Sequence, residues 1–98
     1  GWVQVDKYIA ERAATRAKGI GVAEHRRFEA LDAADGGRFH FAGIRTLDGQ
    51  EMVLLRKGHQ VLVRPATSGE VEKLAGVRID SPLTVRGGLL QPVRGRSL

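Results

Sequence analysis

The chain has 98 residues, 42% hydrophobic and 28% charged, enough for one modest core and too few for two. Lacking cysteine, it has no disulfide framework, thiolate metal site or cysteine nucleophile, which suits a reducing cytoplasm. Lys and Arg number 16 against 11 Asp and Glu, and the resulting charge of +5 attracts polyanions such as nucleic acid, although solubility alone also uses charges of this size.

A helix is predicted over about residues 6–18, where Val5, Ile9, Ala13 and Ala17 recur at i, i+4. Asp6 is placed as its N-cap and Gly19 as its stop, with Arg16 and Lys18 in the last turn where the dipole favours cations. Arg12 and Arg16 lie one turn apart on the polar side. Such a pair either grips a phosphate or forms the solvated side of the helix. "KGIGVAEHRRF", Lys18 to Phe28, then connects helix to sheet.

From Arg26 the period becomes extended, with a short strand around Arg27–Leu31 and a turn-rich break at "DAADGG". "RFHFAGIRT" sets Phe39 and Phe41 on one face and His40, Ala42 and Ile44 on the other, before an Asp48-Gly49 hairpin signal. "EMVLLR" is apolar on both faces and is expected to be a central strand with Leu54 or Leu55 in the core. "KGHQ" turns the chain into "QVLVRP", which Pro65 ends. Thr67 and Glu70 have capping-box spacing for a short helix closed by Gly76. A strand at Leu83–Arg86, a Gly-Gly turn, a second strand and a basic tail at 94–98 complete the chain. The expected fold is α+β: a small curled antiparallel sheet or partly open barrel over about 26–93, with an N-terminal helix and one short inserted helix. One domain is expected over residues 1–98. Because the chain opens with Gly1 and Trp2 rather than Met, it is expected to be a fragment of a larger protein.

The sequence contains no GxSxG, P-loop, paired-histidine zinc motif or Gly-rich dinucleotide loop. His25, His40 and His59 stand apart, so neither a metal nor a cofactor is expected. Asp32 and Asp35 flank Gly36-Gly37 as turn residues, Asp48 belongs to a hairpin, and Tyr8 is a packing residue. No stretch approaches the roughly 20 apolar residues of a membrane span, and no secretory signal is evident. The basic residues remain. A strand edge at His25, Arg26 and Arg27 would present alternating cations to solvent, and Arg38, Arg45, Arg56, Lys57 and Arg64 recur at strand ends and turns. The nucleic-acid candidates are Arg12, Arg16, Lys18, His25, Arg26, Arg27, Arg45, Arg56 and Lys57. Phe39 and Phe41, the only available stacking platform, are expected in the core.

"KYIAERAATRAKGIGVAEHRRF", "FAGIRTLDGQEMVLLRKGHQVLVRP" and the closing "RGRS" resemble the C-terminal region of conjugative relaxases of the broad-host-range (IncP-type) plasmid TraI class, and the related domain of the plasmid stable-inheritance protein KfrB. The resemblance runs from about Asp6 to Ser97. It implies a cytoplasmic, non-enzymatic accessory module, because the nicking chemistry of such relaxases lies in an N-terminal domain with a tyrosine nucleophile and a histidine-bound metal. The module would contact DNA or dock to protein components of the transfer apparatus; a pure protein-interaction module without nucleic-acid binding is the alternative. Arg94 and Arg96 in the tail resemble recruitment signals read by type IV secretion systems.

Overall fold

A computed structural model describes residues 1–19, 21–34 and 37–93. Its elements in chain order are α1 (Trp2–Arg16), β1 (Glu24–Arg27), α2 (Ala30–Ala34), β2 (Arg38–Leu47), β3 (Gln50–Lys57), β4 (Gln60–Pro65), α3 (Ser68–Leu74), β5 (Pro82–Arg86) and β6 (Leu89–Pro92). The six strands form one sheet in the order β1-β4-β3-β2-β5-β6. The fold is α+β as expected, but the sheet is open, with β1 and β6 as its edges, and is not a barrel.

Three two-residue turns at 48–49, 58–59 and 87–88 build the hairpins. Asp48 and Gly49 both have positive φ, at 51° and 78°, the mirror-image turn that suits a twisted hairpin. β1 departs from the expected antiparallel pattern, because it pairs in parallel with β4, Glu24 against Gln60 through Arg27 against Val63. Parallel neighbours need a crossover. Here the chain between β1 and β4 passes through α2, β2 and β3, and part of the expected turn-rich break is a second short helix, α2. The strand expected at Arg27–Leu31 accordingly ends at Arg27, and Leu31 is exposed on α2.

α1 begins four residues before Asp6. Val5 and Trp2 extend the helix, and the Asp6 carboxylate is bonded to Arg27 instead of capping an N-terminus. The helix packs over β1 and β4, where Val5 joins Met52, Leu54, Val61 and Val63. On the opposite face Phe28, Phe39, Phe41, Val53, Leu55, Leu62, Leu74, Leu83, Val85 and Leu90 form the larger core, roofed by α3 and by Ala33 of α2. β3 is therefore covered on both faces, and Leu54 and Leu55 are both buried, as the doubly apolar run requires.

A bulge between Phe41 and Gly43 corrects one assignment. Alternation resets there, so Ile44 packs with the Phe41 core and Ala42 with the α1 side, whereas simple alternation puts them together. Gly43 has φ 112°, and a Cβ there would meet the Arg45 guanidinium at 3.0 Å and the Ile79 side chain at 3.5 Å. α3 carries its expected capping box: Thr67 Oγ1 accepts from the Glu70 N–H at 3.2 Å, and Glu70 accepts from the Thr67 N–H at 3.4 Å. Among the described residues, no helix is long and apolar enough to cross a membrane.

Candidate nucleic-acid interface

Strand alternation sorts the cations of this chain into two groups. In β1, Arg26 points to the larger core and Arg27 to α1. Arg26 makes a two-pronged bond to Asp32 of α2, both contacts at 3.0 Å, and Asp32 also accepts the Glu29 N–H at 2.7 Å. The Arg26 guanidinium holds the buried Asp32 carboxyl below the ordinary carboxylate range and is itself raised by that bond. Arg27 grips Asp6 of α1 at 2.7 and 2.5 Å and covers the Trp2 ring, 4.8 Å to its centre. Arg26 and Arg27 thus fasten β1 to a helix on either side of the sheet. They do not form the free alternating edge that the sequence suggests, and Asp32 is a buried ion-pair partner rather than a turn residue.

Two more basic residues face the larger core. Arg64 lies over Phe28, 5.4 Å from the ring centre, and is paired with the buried Glu70. Burial pushes its pKa below the ordinary arginine value. Lys57 lies over Phe39 at 5.5 Å. Arg45 sits at the bulge, where its guanidinium donates to the Ile44 carbonyl at 3.1 Å.

The remaining candidates converge. The C-terminal end of α1, residues 21–24 and the β3–β4 turn enclose a shallow basin of about 490 Å3, lined by Arg16, Gly21, Val22, Ala23, Glu24, Arg56, Gly58 and His59. A depression beside it adds Ala13, Ala17 and His25. His25 is half-buried, edge-on to Tyr8 at 5.7 Å, and its Nδ1 donates to the Ala23 carbonyl at 2.9 Å. Burial, the larger cause, and the Arg12 charge lower its pKa; the Ala23 bond opposes them. The Arg12 Nε is buried without a hydrogen-bond partner among the described residues. Lys18 is exposed where α1 ends. Two carboxylates temper this charge: Glu24 accepts from Gln60 at 3.1 Å, and Asp80 accepts from Arg56 at 3.1 Å.

Beyond the basin, α1 packs mainly over β1 and β4, with Ala42 and Leu47 of β2 beneath its edge, and the end of β2 at Arg38–His40 is exposed on this side of the sheet. Arg56 stands opposite His40, Arg38 opposite Thr84, and Arg86 opposite Leu89, all on this open face. Arg38 and Arg86 were not among the candidates read from sequence. Their signal was available, because Arg38 alternates with the apolar Phe39 and Arg86 with the apolar Val85. Of the nine candidates, Arg12, Arg16, Lys18, His25 and Arg56 lie toward the C-terminal end of α1; Arg45, opposite Met52, is on the same face of the sheet farther along β2; Arg27 is tied to Asp6; and Arg26 and Lys57 are on the other face. Arg94 and Arg96 fall outside the described residues. No group of three or more metal-binding side chains is gathered among the described residues.

A family model of the TraI-like C-terminal domain matches residues 4–88. A protein from Escherichia coli named Protein TraI is 38% identical over 100 residues, covering 99% of this chain and 13% of the relative. A second Escherichia coli protein of the same name is 35% identical over 94 residues, covering 94% of the chain and 12% of the relative. No solved structure matches the chain. A family match over most of the chain, together with relatives that align along nearly all of it, means that the chain belongs to the TraI-like C-terminal domain family.

Proposed function

We propose that this chain is a non-catalytic accessory module of a plasmid conjugative transfer protein, and that it holds DNA on the surface formed by the basin and the open sheet face. The observation that carries the reading is the convergence of Arg16 of α1 with Arg56 and His59 of the β3–β4 hairpin onto one concavity, with Arg12 and His25 beside it. Cations gathered from distant sequence positions with few carboxylates between them make an electrostatic footprint for phosphate. The module spans about 13% of its relatives, and the relaxase resemblance assigns nicking to another part of such proteins.

The test is a DNA titration of the 98-residue chain at several salt concentrations. Arg16→Ala with Arg56→Ala is expected to weaken binding and to reduce the log–log salt slope by about 1.4 to 1.8, since each phosphate contact contributes about 0.7 to 0.9. Unchanged affinity in the double variant would remove the basin from the reading. A protein-docking role has its own observation: a cleft of about 210 Å3 between α3 and β6, lined by Thr67, Gly69, Glu70, Lys73, Leu89 and Leu90, with Leu89 partly exposed. An apolar partner there would bind with little dependence on salt.

A further inference from the structure

The open sheet face carries a regular feature that the basin does not. Arg56 on β3, Arg38 on β2 and Arg86 on β5 are each displaced by one strand and two residues from the last, following the pairs His40 with Arg56, His40 with Pro82 and Arg38 with Thr84. Strands about 4.8 Å apart and a rise of about 3.3 Å per residue put neighbours in this row about 8 Å apart and its ends about 16 Å apart. Arg16 shares the basin with Arg56 and extends the cationic surface onto α1. Arg38 and Arg86 have no carboxylate partner among the described residues; Arg56 has only the exposed Asp80.

Among the described residues this surface carries no Phe, Tyr or Trp ring, and its only rings are the small imidazoles of His40 and His59. Phe28, Phe39 and Phe41 are buried in the opposite core, Trp2 lies under Arg27, and Tyr8 packs on His25. Surfaces that hold single strands combine a cationic groove with rings on which successive bases stack, and stacking supplies much of their affinity. A line of guanidiniums without a phenyl, phenol or indole platform is suited to phosphates rather than to stacked bases. Duplex DNA offers one phosphate charge per about 1.7 Å of axis, against one per 3.4 Å for each strand, and presents them on a stiff helix. We infer that this face binds the phosphate backbone of duplex DNA, without base stacking and without sequence readout, along Arg16 and the row Arg56–Arg38–Arg86. The inference rests on the DNA-binding reading above and adds the form of the nucleic acid and two further contact residues.

The experiment is a competition on the 98-residue chain between a labelled duplex and unlabelled single strands and duplexes of matched length and unrelated sequences. The duplex is expected to compete at least about 5-fold better than either single strand, with little difference among duplex sequences, as expected where phosphate contacts dominate. Arg38→Gln with Arg86→Gln is expected to lower the duplex salt slope by about 1.8, two contacts at 0.9 each, with an unchanged melting temperature. Single strands competing as well as or better than duplex would overturn the duplex assignment while leaving DNA binding intact. A preference for one duplex sequence would overturn backbone-only contact. Failure of every nucleic acid to bind would overturn the DNA-binding reading itself, and the wild-type competition decides this without reference to the variants.

Discussion

The two faces of the sheet spend their arginines in opposite ways. On the larger-core side, Arg26 and Arg64 are each closed onto a buried carboxylate, Asp32 or Glu70, and each ties a strand to a short helix. On the other side, where Arg27 is closed onto the exposed Asp6, Arg16, Arg38 and Arg86 have no carboxylate partner among the described residues, and Arg56 has one exposed partner in Asp80. A net charge of +5 counts both kinds alike. Only the second kind is available to a polyanion, because an arginine recruited from a buried pair would leave an unpaired carboxylate in low dielectric.

This contrast is broken most severely at Arg64. Arg64→Ala strands the nearly inaccessible Glu70 carboxylate and is expected to cost about 3–5 kcal/mol in chemical denaturation. Adding Glu70→Gln should recover part of this, since the neutral amide keeps an acceptor for the Thr67 N–H and removes the buried charge. Asp32→Ala should cost less, about 1–3 kcal/mol, because Arg26 is one-third exposed and regains water. The Asp32 carboxyl titrates below its ordinary 3.8 mainly through the Arg26 bond, so its contribution is fully present above that pH and lost as pH falls through the folded value. Wild type and Asp32→Asn should therefore converge in stability in strong acid. Neither change should alter the duplex salt slope of the folded protein; if either did, the division between the faces would fail.

Elements governed by local chemistry were legible in the sequence. The Asp48-Gly49 and Gly87-Gly88 turns, the Thr67/Glu70 cap and the central strand at Met52–Leu55 all depend on residues a few positions apart. β1 and α2 were not legible, because the parallel pairing of Glu24–Arg27 with Gln60–Val63 joins segments 36 positions apart, and nothing near "EHRR" announces it. The basic residues failed for the same reason: Arg27 meets a carboxylate 21 positions away and Arg56 one 24 positions away. Gly43 was the exception, since a glycine inside an alternating strand is a signal for a bulge, and heeding it would have placed Ile44 correctly.

On the open face the expected effects are smaller and fall on binding. Asp80→Asn removes the one carboxylate paired to the arginine row among the described residues and keeps a side chain that tolerates the φ of 74° at this position. Stability should change by less than about 0.5 kcal/mol, as for most exposed ion pairs. Duplex affinity should rise about 2- to 5-fold at low salt, the equivalent of less than 1 kcal/mol, and the gain should fade as salt increases. A fall in affinity would mean that Asp80 orients Arg56 for the contact rather than competing with it.

The smallest effect is at His25, where stability and binding are expected to move in opposite directions with pH. Its folded pKa lies below 6.5, chiefly because the ring is half-buried between α1 and β1, with Arg12 adding repulsion. Between the folded and unfolded pKa values the unfolded chain binds more protons, so the contribution of His25 is complete above about 6.5 and declines as pH falls through the folded value. Arg12 faces the ring from α1 and Tyr8 packs on it, while Arg16 and Glu24 share the adjoining depression. Phosphates bound there favour the protonated ring, so duplex affinity should rise as pH drops from about 7.5 to about 5.5, while stability falls. The difference between wild type and His25→Gln isolates this histidine from His40 and His59, which are present in both proteins. If the difference in affinity fell together with the difference in stability, the phosphate would lie away from His25, and the contact surface would be confined to the arginine row.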